Sequence, residues 1–202
     1  MQVVSLSKEH SAEAAAMLAR AFHNQPFGIF YAPDAGERMQ LLQEQFVRLV
    51  RYCCIHGEPY TTAGRVEGVA LWMPPGSRMT AEQEQEFGFD QLPAIFGPDA
   101  FSRYRPVRDC LNAIHEGEVK EPHWYLPILG VEPAQQGSGV GSALLRPVLA
   151  RAAAERFSCY LDTLQARNVP FYRKHGFEVL VEGVEPTSGL QYWCFRRPPG
   201  AL

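Results

Sequence analysis

Gln135-Gln136-Gly137-Ser138-Gly139-Val140-Gly141-Ser142 sets three glycines at alternate positions, after an apolar strand and at the entrance to an apolar helical run. Glycine lets the backbone adopt positive φ and removes the side chain that would hold a ligand off. The first N–H groups of the helix that follows lack internal partners, and the helix dipole favours negative charge at that end. Such a loop presents bare amides to a phosphate. The strand before it, His123 to Val131 (HWYLPILGV), contains Pro127 and Gly130, which do not suit a regular ladder and predict a bulge or an exposed edge. We expect the bulge near Leu129 to Val131. The helix after it is expected from about Gly139 to Glu155, with Val140, Leu144 and Val148 facing inward. Pro147 inside that helix is a misfit of about 3 kcal/mol if the helix stays straight, so a bend is expected there.

Working outward, Gln2 to Leu6 reads as a strand, and Ala15, Leu18, Ala19 and Phe22 fall at helical spacing. His23 to Pro33 is expected to be a polar and aromatic loop, ending at Asp34 as N-cap of an amphipathic helix striped by Met39, Leu42, Phe46, Leu49 and Cys53. Pro59 to Ala63 and Val66 to Met73 flank Gly64-Arg65 as a hairpin. Thr80 and Gln83 form a capping box, and only short helical pieces fit as far as Pro98. Asp99 is expected to cap the next helix, with Phe101, Tyr104, Leu111 and Ile114 on its inner face and Gly117 at its end. Towards the C-terminus a short strand holds Tyr160 and Leu161, and a short helix spans Asn168 to Lys174, closed by Gly176. Phe177 to Val181 and Leu190 to Phe195 complete the strands.

The 202 residues are read as one domain, with 1-117 as an acceptor-side half and 123-182 as the ligand-binding core. A formal net charge of −3 gives no footprint for nucleic acid. No apolar run approaches the roughly 20 residues of a membrane span, and Met1 to Ser5 has no signal-peptide character, so a cytoplasmic protein with no membrane partner is expected. The five cysteines are odd in number and show no CxxC spacing, which fits buried free thiols and implies no metal.

From His123 onward the order is bulged strand, phosphate loop, helix, strand, and then Asn168-Val169-Pro170-Phe171-Tyr172-Arg173-Lys174-His175-Gly176-Phe177. This segment resembles the core of the GNAT superfamily of acetyl-CoA-dependent N-acetyltransferases. Gln136-Gly137-Ser138-Gly139-Val140-Gly141 matches the family's pyrophosphate-loop pattern, and Asn168, Phe171-Tyr172 and Gly176-Phe177 match its later signature. Residues 123 to 180 resemble in particular the branch that includes puromycin N-acetyltransferase. The resemblance implies an α/β (α+β) fold with a mixed, mostly antiparallel twisted sheet of about seven strands. The fourth and fifth strands would be parallel and splayed, with helices flanking the sheet.

It also implies acetyl-CoA as co-substrate. The pantetheine arm would lie along the fourth strand at Leu129 and Val131, like an added strand. Amides from Gly137 to Ser142 would hold the pyrophosphate, and Asn168 and Phe171 would line the arm. Arg146, Arg173 or Lys174 would meet the adenosine phosphate. Tyr172 matches the family's general acid. Its ordinary pKa of about 10 against about 8.5 for a thiol leaves a mismatch of roughly 2 kcal/mol. The Val131 amide is the expected oxyanion donor. His123 is a candidate base, with Asp162, Glu132 and water as alternatives. The acceptor, a small-molecule amine, is expected against Phe27, Phe30 and Tyr31, while Trp72 and Trp124 belong to the core. A homodimer is compatible with these residues. Three other readings are a catalytically silent acyl-CoA-binding sensor, a protein acetylase acting on peptide N-termini or lysines, and an NAD(P)-binding oxidoreductase. The oxidoreductase requires a third fingerprint glycine where Ser142 stands.

Overall fold

A computed structural model describes residues 1–201. Its elements are β1 (Val3–Ser5), α1 (Ser11–Phe22), α2 (Pro26–Tyr31), α3 (Ala35–His56), β2 (Tyr60–Thr62), β3 (Gly68–Met73), α4 (Ala81–Glu86), α5 (Leu92–Glu118), β4 (His123–Val131), α6 (Val140–Glu155), β5 (Ser158–Thr163), α7 (Val169–Lys174), β6 (Glu178–Val184) and β7 (Gln191–Arg197). The seven strands among the described residues form one sheet in the order β1-β2-β3-β4-β5-β7-β6. All neighbours are antiparallel except β4 and β5. The mixed sheet with its parallel pair is the architecture expected from the sequence.

The alternation along β3 explains how the layers form. Val69, Leu71 and Met73 face α1 and α3, while Ala70 and Trp72 face α6. Every β3 residue is therefore buried, as a central strand covered on both faces must be. Trp72 and Trp124 lie in the α6-side core, as expected. On the other face Tyr160 and Cys194 pack against Val107 and Leu111 of α5. The five cysteines are free; Cys53, Cys159 and Cys194 are buried.

The sheet opens at its centre. β4 pairs with β5 only from His123–Ser158 to Tyr125–Tyr160. On the other side of β4 the register with β3 slips between Leu71–Ile128 and Met73–Tyr125, so three steps on β4 oppose two on β3. The bulge therefore lies at Leu126-Pro127, earlier than the expected Leu129 to Val131. Pro127 has no N–H to give to either neighbour, so the ladder breaks there. Beyond it β4 follows β3 and β5 follows β7, leaving a cleft between them.

Two other expectations need correction. The stretch from His23 to Pro33 is not all loop: Pro26 opens α2 at a first-turn position, where its missing N–H costs nothing. Asp99 does not cap α5. The break is at Gly97, at φ 69 and ψ 167, and helix resumes directly after it. By contrast, Asp34 caps α3 by accepting from the Glu37 amide at 2.8 Å, and Thr80 and Gln83 form both bonds of the capping box.

Candidate active site

Two cavities occupy the cleft and share a boundary. The outer groove, about 480 Å³, runs from Leu129 and Val131 along Gly137, Gly139, Gly141 and Ser142 to Asn168, Phe171 and Lys174. The inner cavity, about 110 Å³, is bounded by Phe27, Tyr31, Arg108, Asp162 and Thr163. Leu129, Asn168 and Tyr172 line both.

The loop at the outer end is open. Gly137 and Gly139 sit at φ 82 and 91, and a Cβ on either would meet nothing within 4 Å. Among the described residues the amides of Gly137, Gly139, Val140, Gly141 and Ser142 have no backbone acceptor, because α6 begins at Val140 and its first turn has none to offer. Gly141 lies under Phe171, whose Cζ would be 3.3 Å from a Cβ there. The Gln136 side chain donates to the Val131 carbonyl at 3.2 Å, tying the loop to the end of β4. A diphosphate fits this cradle of free amides, and Arg167 and Lys174 stand at its edge. Arg146 and Arg173 are exposed and line neither cavity.

Sequence reading missed His175, whose Nε2 is 2.9 Å from Ser142 Oγ. Burial lowers its pKa, with Lys174, Arg146 and Arg197 adding to the effect. Arg167 was missed as well. Both stand beside signature residues, but only the turn of α7 shows which of the basic side chains meets the groove.

β4 offers its backbone to the cleft in alternate steps. The Glu132 amide bonds the Glu67 carbonyl on the β3 side at 2.8 Å. Strand alternation turns the groups of Val131 and Leu129 the other way, into the opening. The junction of the two cavities lies at Leu129 rather than Val131, which lines the outer groove alone.

Tyr172, buried at the junction, packs against Phe171, Phe177 and Phe195. Burial holds its hydroxyl well above the usual range, and the nearby Asp162 charge acts in the same sense. Asp162, at the end of β5, is 3.9 Å from Arg108 and accepts a long 3.5 Å bond from Tyr125. Desolvation raises its pKa, while Arg108 and Tyr125 oppose the rise.

The other candidate bases lie elsewhere. His123 is at the head of β4, 2.6 Å from His115 through their Nε2 atoms, with Nδ1 2.7 Å from the Glu121 carbonyl; it lines neither cavity. Glu132 is held by Arg20 through bonds of 2.7 and 3.1 Å. Asp162 alone of the three shares a cavity with Tyr172.

Among the aromatic residues of α2, Phe27 and Tyr31 line the inner cavity. Phe30 does not, because helical spacing turns it towards the α5-side cluster. The buried Arg38 fixes this helix: it donates to the carbonyls of His23, Ala32 and Pro33 at 2.7 to 2.8 Å. Arg103 adds bonds to the Tyr31 carbonyl at 2.9 and 3.1 Å.

Residues 107–179 match the acetyltransferase (GNAT) domain family. An uncharacterized N-acetyltransferase of Schizosaccharomyces pombe is 27% identical over 172 residues, covering 82% of this chain and 69% of that protein. A Corynebacterium glutamicum structure described as histone acetyltransferase HPA2 and related acetyltransferase aligns with a TM-score of 0.73 at 24% identity, over 100% of this chain and 97% of that one. Arylalkylamine N-acetyltransferase 2 of Aedes aegypti aligns with a TM-score of 0.68 at 13% identity, over 98% of each chain. The two structures share the fold. The domain match and the fission-yeast relative support an acetyltransferase of the GNAT superfamily. Among the described residues no cluster of three or more His, Cys, Asp or Glu is placed to hold a metal, and no helix is long and apolar enough to cross a membrane.

Proposed function

We propose that this chain moves acetyl from acetyl-CoA to the primary amine of a small molecule, by direct attack of the amine within a ternary complex. The observation that carries this reading is the junction at Tyr172 and Leu129. There a groove of bare amides, suited to a diphosphate, meets a small cavity holding a carboxylate and aromatic walls. The thioester carbonyl belongs at that junction. The donor for its developing negative charge is then the Leu129 amide, two residues before Val131 on the same edge of β4.

When bound, acetyl-CoA supplies an activated acyl group on a thiol leaving group. The amine nitrogen forms its bond to the carbonyl carbon as the carbon–sulfur bond breaks. Asp162, directly or through one water, takes the proton that the amine sheds. Tyr172, kept protonated by burial, returns a proton to the departing sulfur. The products are an N-acetyl amide and the free thiol. The runs from His123 to Leu149 and from Arg167 to Val179 support placing the chain near the puromycin N-acetyltransferase branch.

Thermal unfolding with acetyl-CoA, and with NADPH as control, tests the ligand. At 100 times its dissociation constant a ligand adds about 2.7 kcal/mol, and each kcal/mol moves the midpoint of a chain this size by roughly 2 to 4 °C. Stabilisation by acetyl-CoA alone, followed by thiol release with primary amines, is the expected result. Stabilisation by NADPH alone refutes the transferase. Binding without thiol release for any amine marks a silent acyl-CoA sensor.

A further inference from the structure

The inner cavity contains a guanidinium with little to hold. Arg108 of α5 lines it beside Asp162. Asp162 is 3.9 Å away and Asn112 Oδ1 3.5 Å, both long for bonds to a charged donor, and the neutral Tyr125 hydroxyl stands beside it. The buried Arg38, by contrast, is held by three carbonyls at 2.7 to 2.8 Å. The Arg108 side chain retains 28% of its exposure and that of Asp162 13%, so both are largely removed from water. A largely desolvated, planar five-donor group with no carboxylate at close bonding distance is suited to one arriving with the ligand.

The opposite charge is adjacent. Asp162 faces the same space and is next to the junction where the amine must attack. A ligand satisfying both groups carries an ammonium and a carboxylate within two bonds of each other. Phe22, Phe27, Tyr31, Phe46, Leu126 and Ile128 give the cavity an apolar wall that accepts an apolar side chain, and Gln25, Gln45, Thr163 and Asn168 line it with neutral polar groups. Apart from Arg108 and Asp162 the lining carries no charge. About 110 Å³ leaves room for a compact molecule rather than a peptide.

Resting on the acetyl-transfer reading above, we propose that the acceptor is a free apolar α-amino acid, its carboxylate on Arg108 and its amine beside Asp162. The amine is acetylated with the atom balance already given, and the carboxylate is unchanged.

The test compares thiol release by the wild-type protein, at saturating acetyl-CoA, with three acceptors: L-phenylalanine, phenethylamine and L-phenylalaninamide. The amide lowers amine basicity without supplying a carboxylate, which separates recognition from reactivity. The expected result is a kcat/KM for L-phenylalanine at least about tenfold above both others, or roughly 1.4 kcal/mol. In Arg108→Gln that preference should collapse towards unity while acetyl-CoA still raises the unfolding midpoint, which shows that the variant is folded. Phenethylamine used as well as phenylalanine by the wild type overturns the proposal, with no variant needed. So does a preference that survives in Arg108→Gln, or stabilisation by acetyl-CoA with no thiol release from any of the three. Absence of acetyl-CoA stabilisation in the wild type overturns the transferase reading first and this inference with it.

Discussion

Gly139→Ala separates the two reasons for glycine in the phosphate loop. Gly139 sits at φ 91 and ψ 0 as the N-cap of α6. An alanine there pays about 1–2 kcal/mol for left-handed backbone. No steric term is added, because nothing lies within 4 Å of the new Cβ. At roughly 2 to 4 °C per kcal/mol, the free protein should melt about 2 to 8 °C lower. The new methyl group also stands over the amides that the diphosphate approaches. A tenfold loss of affinity, about 1.4 kcal/mol, is the minimum expected. With acetyl-CoA at 100 times the wild-type dissociation constant, ligand stabilisation should then fall from about 2.7 to about 1.4 kcal/mol. Gly64→Ala is the control: Gly64 is at φ 80 in the β2–β3 turn, with nothing within 4 Å of its Cβ, and it lines neither cavity. It should lose similar stability and keep the full ligand shift. Differential scanning fluorimetry reads both quantities. If Gly139→Ala keeps the full acetyl-CoA shift, the loop amides are not where the phosphates sit.

Three further outcomes are expected. Tyr172→Phe should lower kcat by about 10²–10⁴-fold, the usual worth of a positioned acid, and leave the acetyl-CoA shift intact. Unchanged turnover in a thiol-release assay removes Tyr172 from that role. Arg38→Met strips one buried and two partly buried carbonyls of their donor, so it should cost about 2–4 kcal/mol and raise KM for the acceptor more than for acetyl-CoA; equal KM changes would show that α2 does not shape the acceptor side. His115 has its pKa pushed down to about 4, by burial first and then by His123, Arg108 and Arg78. Its contribution is complete above the ordinary value of about 6.5. It is lost as pH falls towards 4, because there only the unfolded chain takes up the proton. With partial solvent screening this amounts to roughly 2 kcal/mol, and His115→Gln should flatten the fall in melting temperature over that range.

The parts of the fold legible in sequence were those whose cause is local. The capping residues Asp34 and Thr80, the β-branched and aromatic run of β3, and the glycines before α6 each act within a few residues. The bulge was misplaced because its position depends on the register between β4 and β3, which Gly130 and Val131 do not set by themselves. α2 was hidden for a similar reason. Six residues make a marginal helix alone, and this one is held by Arg38 from α3 and Arg103 from α5. At the site, the loop and Tyr172 stood within one run of chain. The choice between His123 and Asp162 did not, since both end strands next to the cleft and only the direction of the splay puts one inside it. Arg108 carried no signal: on α5 it reads as one of several arginines until Asp162 is seen opposite.

The same splay arranges the two proposed proton carriers. Tyr172 and Asp162 enter a shared cavity from α7 and β5, and burial favours the protonated form of each. For the tyrosine this is the form required of an acid, and the Asp162 charge strengthens it. For the aspartate it is the wrong form for a base, and Arg108 and Tyr125 counter it from the other side. Under the proposed mechanism one low-dielectric pocket would serve opposite roles because a cation stands beside only one of the two groups. An acceptor carboxylate drawn to Arg108 would weaken the cation's hold on Asp162, making the carboxylate more basic when the substrate is in place. Under the amino-acid proposal, the kcat profile should therefore show its acidic limb at higher pH than the profile for phenethylamine. Coincident limbs would separate substrate recognition by Arg108 from any part in activating the base.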